Sequence, residues 1–168
     1  FVTRKITRAV SKIALGQQDK LYIGNLDAKR DWGHAKDYVR VMWMILQADE
    51  PEDWVIATGT KTSVRDFIIA SFKYIGVELE FKGKGINEKG FIKSLSNAKY
   101  KLEIGKEVVQ VDSKYFRPTE VDLLIGDASK AKNKLGWTPE YSLEKLVIEM
   151  MSSDLILMQK ELYIKEGG

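Results

Sequence analysis

Leu21-Tyr22-Ile23-Gly24-Asn25-Leu26-Asp27-Ala28-Lys29-Arg30-Asp31-Trp32-Gly33-His34-Ala35-Lys36-Asp37-Tyr38 is the stretch on which the fold reading turns. It changes period within eighteen residues. Leu21-Tyr22-Ile23 has the length and composition of a short strand, ended by Gly24-Asn25. A Gly-Asn-Leu-Asp loop then leads to Arg30. From His34 the apolar residues Ala35, Tyr38, Val39, Val41, Met42, Trp43, Ile45 and Leu46 describe a strongly apolar helix to Gln47. A strand, a loop carrying an arginine and then a helix point to a mixed α/β chain.

The flanks keep the same alternation. Val2, Ile6, Ala9, Val10, Ile13 and Ala14 recur at helical spacing across Val2–Leu15, with Gly16 as a stop. Trp54-Val55-Ile56-Ala57 reads as a buried strand. Ser63 stands before a helical pattern that Gly76 closes, as an N-cap residue and a C-terminal glycine should. Leu79-Glu80-Phe81 and Glu107-Val108-Val109-Gln110-Val111 are strand candidates. Asp127–Leu135 is a short helix stopped by Gly136, and Ser142 opens a last helix to about Tyr163. Residues 83–105, rich in glycine and lysine with weak periodicity, are expected to be an irregular loop or insertion. With few, short strands, residues 1–168 read as one small α/β unit, a lobe rather than a complete doubly wound sheet.

Composition narrows the function classes. The chain has 168 residues, 44% hydrophobic and 30% charged, with no cysteine and a net charge of +3. That is too apolar for a disordered chain and leaves no disulfide or zinc-thiolate chemistry. No apolar run approaches the ~18 residues of a membrane span. Phe1-Val2-Thr3-Arg4-Lys5 offers no initiator Met or apolar run, so no signal peptide is expected, and a cysteine-free chain fits a cytoplasmic location. Charge is uneven: residues 1–48 hold nine Lys/Arg against four Asp, and the remainder is slightly acidic. A basic segment suits an anionic ligand or a solvated helix face. No aromatic-interleaved basic stripe points to nucleic acid.

Reactive groups are scarce. One histidine, His34, sits at a helix entry, where capping or packing is its ordinary role. No Gly-x-Ser-x-Gly occurs, and the glycines at 83, 85 and 90 do not form Gly-x-Gly-x-x-Gly. Tyr141-Ser142-Leu143-Glu144-Lys145 has Tyr-x-x-x-Lys spacing. With seven Tyr and twenty-one Lys in 168 residues, about one such pair arises by chance, so it carries no weight. What remains is Arg30 after its loop and Arg117 in Tyr115-Phe116-Arg117-Pro118-Thr119-Glu120. A guanidinium fork suits phosphate and a glutamate suits sugar hydroxyls, whereas the plain alternative is that Arg117 and Glu120 pair with each other or with neighbours.

Phe1–Ala9, Leu21–Tyr38, Pro51–Gly59, Tyr115–Asp122 and Lys134–Pro139, taken in order, resemble the GDP-mannose 4,6-dehydratase family of extended short-chain dehydrogenases/reductases. The resemblance covers nearly the whole chain and is weakest across 83–105. It implies an α/β fold: the C-terminal substrate-binding lobe and adjoining elements, with the N-terminal Rossmann domain missing from this chain. The family's reaction is an internal redox cycle with NADP. A hydride leaves C4 of the mannose, the C5 proton becomes acidic, water leaves from C6 and the hydride returns there, giving GDP-4-keto-6-deoxymannose. The catalytic residues and the NADP loop match no position here. This chain alone is therefore expected to be inactive.

The resemblance assigns substrate contacts to Val2, Lys5, Arg30, Arg117 and Glu120, with Arg30 on pyrophosphate and Arg117 and Glu120 on phosphate and ribose. A family asparagine before Val2 has no counterpart. Expected partners are GDP-mannose, the missing N-terminal half and further copies in a dimer or tetramer. Separation from that half should leave apolar surface on Val2–Leu15 and His34–Gln47. A related GDP-4-keto-6-deoxymannose reductase and a non-catalytic nucleotide-sugar-binding module stay open as alternatives.

Overall fold

The computed structural model describes residues 2–96, 98–120, 126–165 and 167. Helix α1, Val2–Ala14, is amphipathic, and its Ile6, Ala9, Val10 and Ile13 are buried. It leads into β1, Leu21–Ile23. Strand β2, Lys29–Arg30, pairs antiparallel with β3, Thr62–Ser63, and between them lies α2, Ala35–Leu46. Helix α3, Val64–Tyr74, starts from a capping box: the Ser63 hydroxyl accepts from the Asp66 N–H while the Asp66 carboxylate accepts from the Ser63 N–H. Strands β4 (Val77–Lys82), β5 (Lys89–Leu95) and β6 (Glu107–Val111) follow, then α4 (Ser129–Leu135) and α5 (Leu143–Lys165).

The main sheet has the order β1-β6-β5-β4. Only β1 and β6 are parallel, with Leu21 opposite Val109 and Ile23 opposite Val111. Helices α1, α3 and α5 pack against one another and supply, with the sheet, the main core around Ile6, Val10, Phe67, Phe72, Val109 and Met151. A buried polar link joins α1 to α5. The Thr7 hydroxyl donates to the Asp154 carboxylate at 2.6 Å, and Arg4 reaches the same carboxylate at 2.9 Å. Asp154 is buried whereas Arg4 is half exposed, so the carboxylate depends on the hydroxyl for its interior partner.

A second, smaller cluster joins α2 and α4 through Val41, Ala131 and Trp137. Its latch is Asp37. The buried carboxylate accepts the N–H of Glu140 at 3.0 Å and of Tyr141 at 3.1 Å, and the Trp137 indole donates to the Asp37 carbonyl. His34 caps α2, its Nδ1 accepting the Lys36 N–H. Its ring stacks on Tyr141, and its Nε2 lies 3.2 Å from Glu149. The Tyr141 of the chance Tyr-x-x-x-Lys match thus serves as a packing surface.

Three expectations need correction. Within 83–105, expected to be irregular, Lys89–Leu95 is β5, an interior strand of the sheet. Its inward positions are Gly90 and Ile92. Gly90 lies where a Cβ would come within 2.9 Å of Val109, so the buried face carries too little apolar bulk to show a period of two. Trp54–Ala57, expected as a buried strand, pairs with no strand among the described residues. Trp54 and Ile56 pack on the α2–α4 cluster, and the following N–H groups of Thr58 and Gly59 donate to Asp31 instead of to a neighbouring strand. The apolar face of α1 is enclosed by the chain's own core, whereas α2 does expose Val39, Met42, Trp43 and Leu46, at 61–79% accessibility. The β2–β3 pair escapes sequence reading because two-residue strands have no periodicity.

One ionic link crosses three elements of the sheet. Glu107 of β6 accepts from Lys20, just before β1, at 2.6 Å and from Lys89 of β5 at 2.9 Å. The Lys20 hydrogen bond, then that of Lys89, holds the Glu107 carboxyl below the usual glutamate range, and the same contact raises Lys20. A depressed carboxyl pKa contributes stability above the ordinary glutamate range, and this is lost as pH falls through the folded value. Glu107→Gln is expected to cost about 1 kcal/mol at neutral pH, with the gap to the parent closing on acidification, as followed by urea melts across pH. A gap independent of pH would contradict this link.

Candidate functional site

Because β1 and β6 run parallel, the chain leaves both at the same edge. The Asp112 N–H donates to the Ile23 carbonyl, and a tight turn follows in which the N–H groups of Tyr115 and Phe116 return to the Asp112 carbonyl. This turn lays Tyr115 across Gly24. A Cβ at position 24 would stand 2.2 Å from the Tyr115 carbonyl oxygen, so only glycine permits the crossing. One residue on, the Asn25 side chain accepts from the Arg117 N–H at 2.8 Å and donates to the Arg117 carbonyl at 2.8 Å.

Two further walls complete a cleft of about 480 Å³. From α1 come Val2 and Lys5, the Lys5 ammonium lying 3.2 Å from the centre of the Tyr115 ring. Burial lowers the pKa of Lys5, with Asp112 opposing and Lys114 adding to the effect. From β2 comes Arg30, which donates to the Lys29 carbonyl at 2.7 Å and pairs with Glu120 at 2.8 Å. Val2, Lys5, Arg30, Arg117 and Glu120, the five residues singled out from sequence, all line this one cleft. Gly24, Asn25 and Tyr115 line it too and were not singled out. Their signal was present only as a strand end and as the flank of Arg117.

The lining carries Lys5, Arg30 and Arg117 against Glu120 and is therefore net basic. Of the plain alternative, in which Arg117 and Glu120 pair with each other or with neighbours, one part is seen: Glu120 pairs with Arg30, whereas Arg117 is exposed and makes no ion pair among the described residues. A basic pocket closed by two arginines can neutralise a di-anion and fix its orientation. A second hollow, of about 620 Å³ between α2 and α4, is lined by Trp43, Trp54, Asp49, Glu50, Glu52 and Lys134. Glu52 is engaged by Lys130 and Lys134, and the acidic excess there disfavours an anion. Among the described residues no group of three or more His, Cys, Asp or Glu could hold a metal, and no helix is long and apolar enough to cross a membrane.

A dinucleotide cofactor does not fit these residues. Strand β1 runs into a loop and β2 rather than into a helix N-terminus. The N-termini of α2 and α3 are closed by His34 and by the Ser63–Asp66 box.

A family profile described as GDP-mannose 4,6 dehydratase matches residues 1–150. The chain belongs to the GDP-mannose 4,6-dehydratase family. A GDP-mannose 4,6-dehydratase of Vibrio cholerae is 54% identical over 169 residues, spanning all of this chain and 45% of the relative. The Homo sapiens enzyme of that name is 55% identical over 159 residues, covering 95% of this chain and 40% of its own length. The chain thus spans less than half the length of these curated relatives. Among solved structures, RMD from Pseudomonas aeruginosa complexed with NADPH superposes with a TM-score of 0.68 at 17% identity, over 92% of this chain and 42% of that one. A UDP-glucose 4-epimerase from Bifidobacterium longum in complex with NAD+ and UDP gives 0.58 at 19% identity, over 89% and 38%. These likenesses establish the α/β fold.

Gly24 offers a direct check on this edge of the family fold. Gly24→Ala is expected to push the Tyr115 turn away and to lower stability by about 1–3 kcal/mol, the usual range for overpacking. Thermal or urea melts measure it. A melting transition unchanged from the parent would show that the crossing tolerates a side chain.

Proposed function

We propose that this chain is the GDP-sugar-binding portion of a cytoplasmic GDP-mannose 4,6-dehydratase, a lyase that removes one water from GDP-mannose to give GDP-4-keto-6-deoxymannose. The observation that carries the reading is the convergence of Lys5, Arg30 and Arg117, from three distant segments, on one cleft with Glu120 at its wall. In this reading Arg30 and Arg117 bind the diphosphate, Lys5 adds positive charge from α1, and Glu120 both orients Arg30 and accepts a ribose hydroxyl. Holding the nucleotide handle fixes where the sugar sits, and binding energy far from the reacting carbons is thereby used for orientation. The NADP that the family implies is held mainly by residues of the N-terminal Rossmann half, outside this chain. The outward stripe of α2 (Val39, Met42, Trp43 and Leu46), together with the exposed Val55, is the surface we assign to that half. The complete enzyme is taken to be a dimer or tetramer.

Arg117→Ala in the intact protein is expected to weaken GDP binding by about 1.5–3 kcal/mol, the range for hydrogen bonds to a charged group. Arg117→Lys should recover only part, because an ammonium lacks the bidentate fork. Isothermal titration should show the same loss for GDP and for GDP-mannose, since the contact is to the nucleotide. A loss confined to melting temperature, with GDP affinity intact, would leave Arg117 a structural residue. Residues 1–168 by themselves are expected to convert no GDP-mannose in the presence of NADP, as followed by chromatography of the nucleotide sugars. Accumulation of the 4-keto product by that chain alone would overturn the division of labour proposed here.

A further inference from the structure

We infer that Asn25 is the positioning residue of the diphosphate cleft, acting through Arg117 rather than touching the ligand's charge itself; the inference rests on the reading of this cleft as a GDP site. Arg117 is exposed, lies between the Asp112–Phe116 turn and Pro118, and belongs to no regular element. Pro118 restricts its backbone to extended conformations but does not say where in space that extended segment lies. What places it is one side chain. The Asn25 Oδ1 accepts the Arg117 N–H and the Asn25 Nδ2 donates to the Arg117 carbonyl, each at 2.8 Å.

Two hydrogen bonds to the N–H and C=O of a single residue fix its peptide planes in both translation and rotation, much as a strand neighbour would. The guanidinium then departs from an anchored backbone, and only its side-chain torsions remain to be ordered when an anion binds. Losing the anchor leaves the charge on Arg117 but adds backbone disorder to what binding must overcome. The other supports of this segment act two residues earlier, at Tyr115: its carbonyl lies against Gly24, and Lys5 lies over its ring. Asn25 alone grips Arg117 itself among the described residues. No charged residue could replace it, because the pair requires one donor and one acceptor on a short planar group.

The test is a double-mutant cycle read by isothermal titration of GDP into the intact protein and its Asn25→Ala, Arg117→Ala and doubly substituted forms. Asn25→Ala is expected to weaken GDP about tenfold while the stoichiometry stays that of the parent, and the double variant should bind no more weakly than Arg117→Ala alone. A merely structural role would lower stoichiometry and melting temperature and leave the dissociation constant of the folded fraction unmoved. That outcome, or losses that multiply in the double variant, overturns the inference. Should Asn25→Ala not fold, Asn25→Ser, which keeps one hydrogen-bonding group, enters the same cycle with the same two readings. Failure of the parent protein to bind GDP would instead refute the function proposed for the cleft, so the two failures are distinguishable.

Discussion

The cleft depends on a single close approach, that of the Tyr115 carbonyl to Gly24. Parallel pairing of β1 with β6 brings the two chain exits together, but a side chain at position 24 would hold them apart. With the glycine in place, the turn after β6 folds over the end of β1, and the Asn25 amide engages the next exposed backbone. Everything that gives the cleft its charge is hung on this crossing or faces it. Arg117 follows it in sequence, Lys5 reaches it from α1 through the Tyr115 ring, and Arg30 meets Glu120 a few residues beyond it.

The electrostatics of the cleft suit a ligand of concentrated negative charge. Lys5 is partly desolvated, and burial already lowers its pKa, so its ammonium gains from any anion placed near it. Arg30 is oriented by Glu120 and by a backbone carbonyl, which limits the side-chain freedom that ligand binding must remove. Arg117 is exposed, with its backbone held by Asn25 and with no ion pair among the described residues. The larger hollow beside α2 differs in kind: its rim is acidic, and it shares Trp43 with the exposed α2 stripe.

Much of this was legible because local chemistry and tertiary structure agree. Ser63 with Asp66, Gly76 and Gly136 punctuate their helices in the way their side chains or backbone freedom require, and β6 shows itself as a short run rich in β-branched valines. Lys89–Leu95 was hidden because Gly90 supplies half of its buried face by absence of a side chain. Trp54–Ala57 pairs with no strand among the described residues, and its Trp54 and Ile56 pack on the α2–α4 cluster; apolar residues pack equally well on helices as on a sheet, and composition cannot tell which. In the cleft, Arg30 and Arg117 stood out by side-chain chemistry, and the resemblance joined them to Val2, Lys5 and Glu120. Gly24 and Asn25 did not stand out, since their roles lie in a crossing between segments some ninety residues apart, which no local pattern records.

On the function proposed for it, one basic cleft at the β1–β6 edge receives the nucleotide diphosphate. Backbone amide NMR of the isotopically labelled intact protein, titrated with GDP, tests it most directly because it locates binding without prior choice of residue. The largest shifts are expected at Lys5, Gly24, Asn25, Arg30 and Tyr115 through Arg117, saturating together. Shifts centred on Trp43, Trp54 and Lys134, with those residues unmoved, would contradict it.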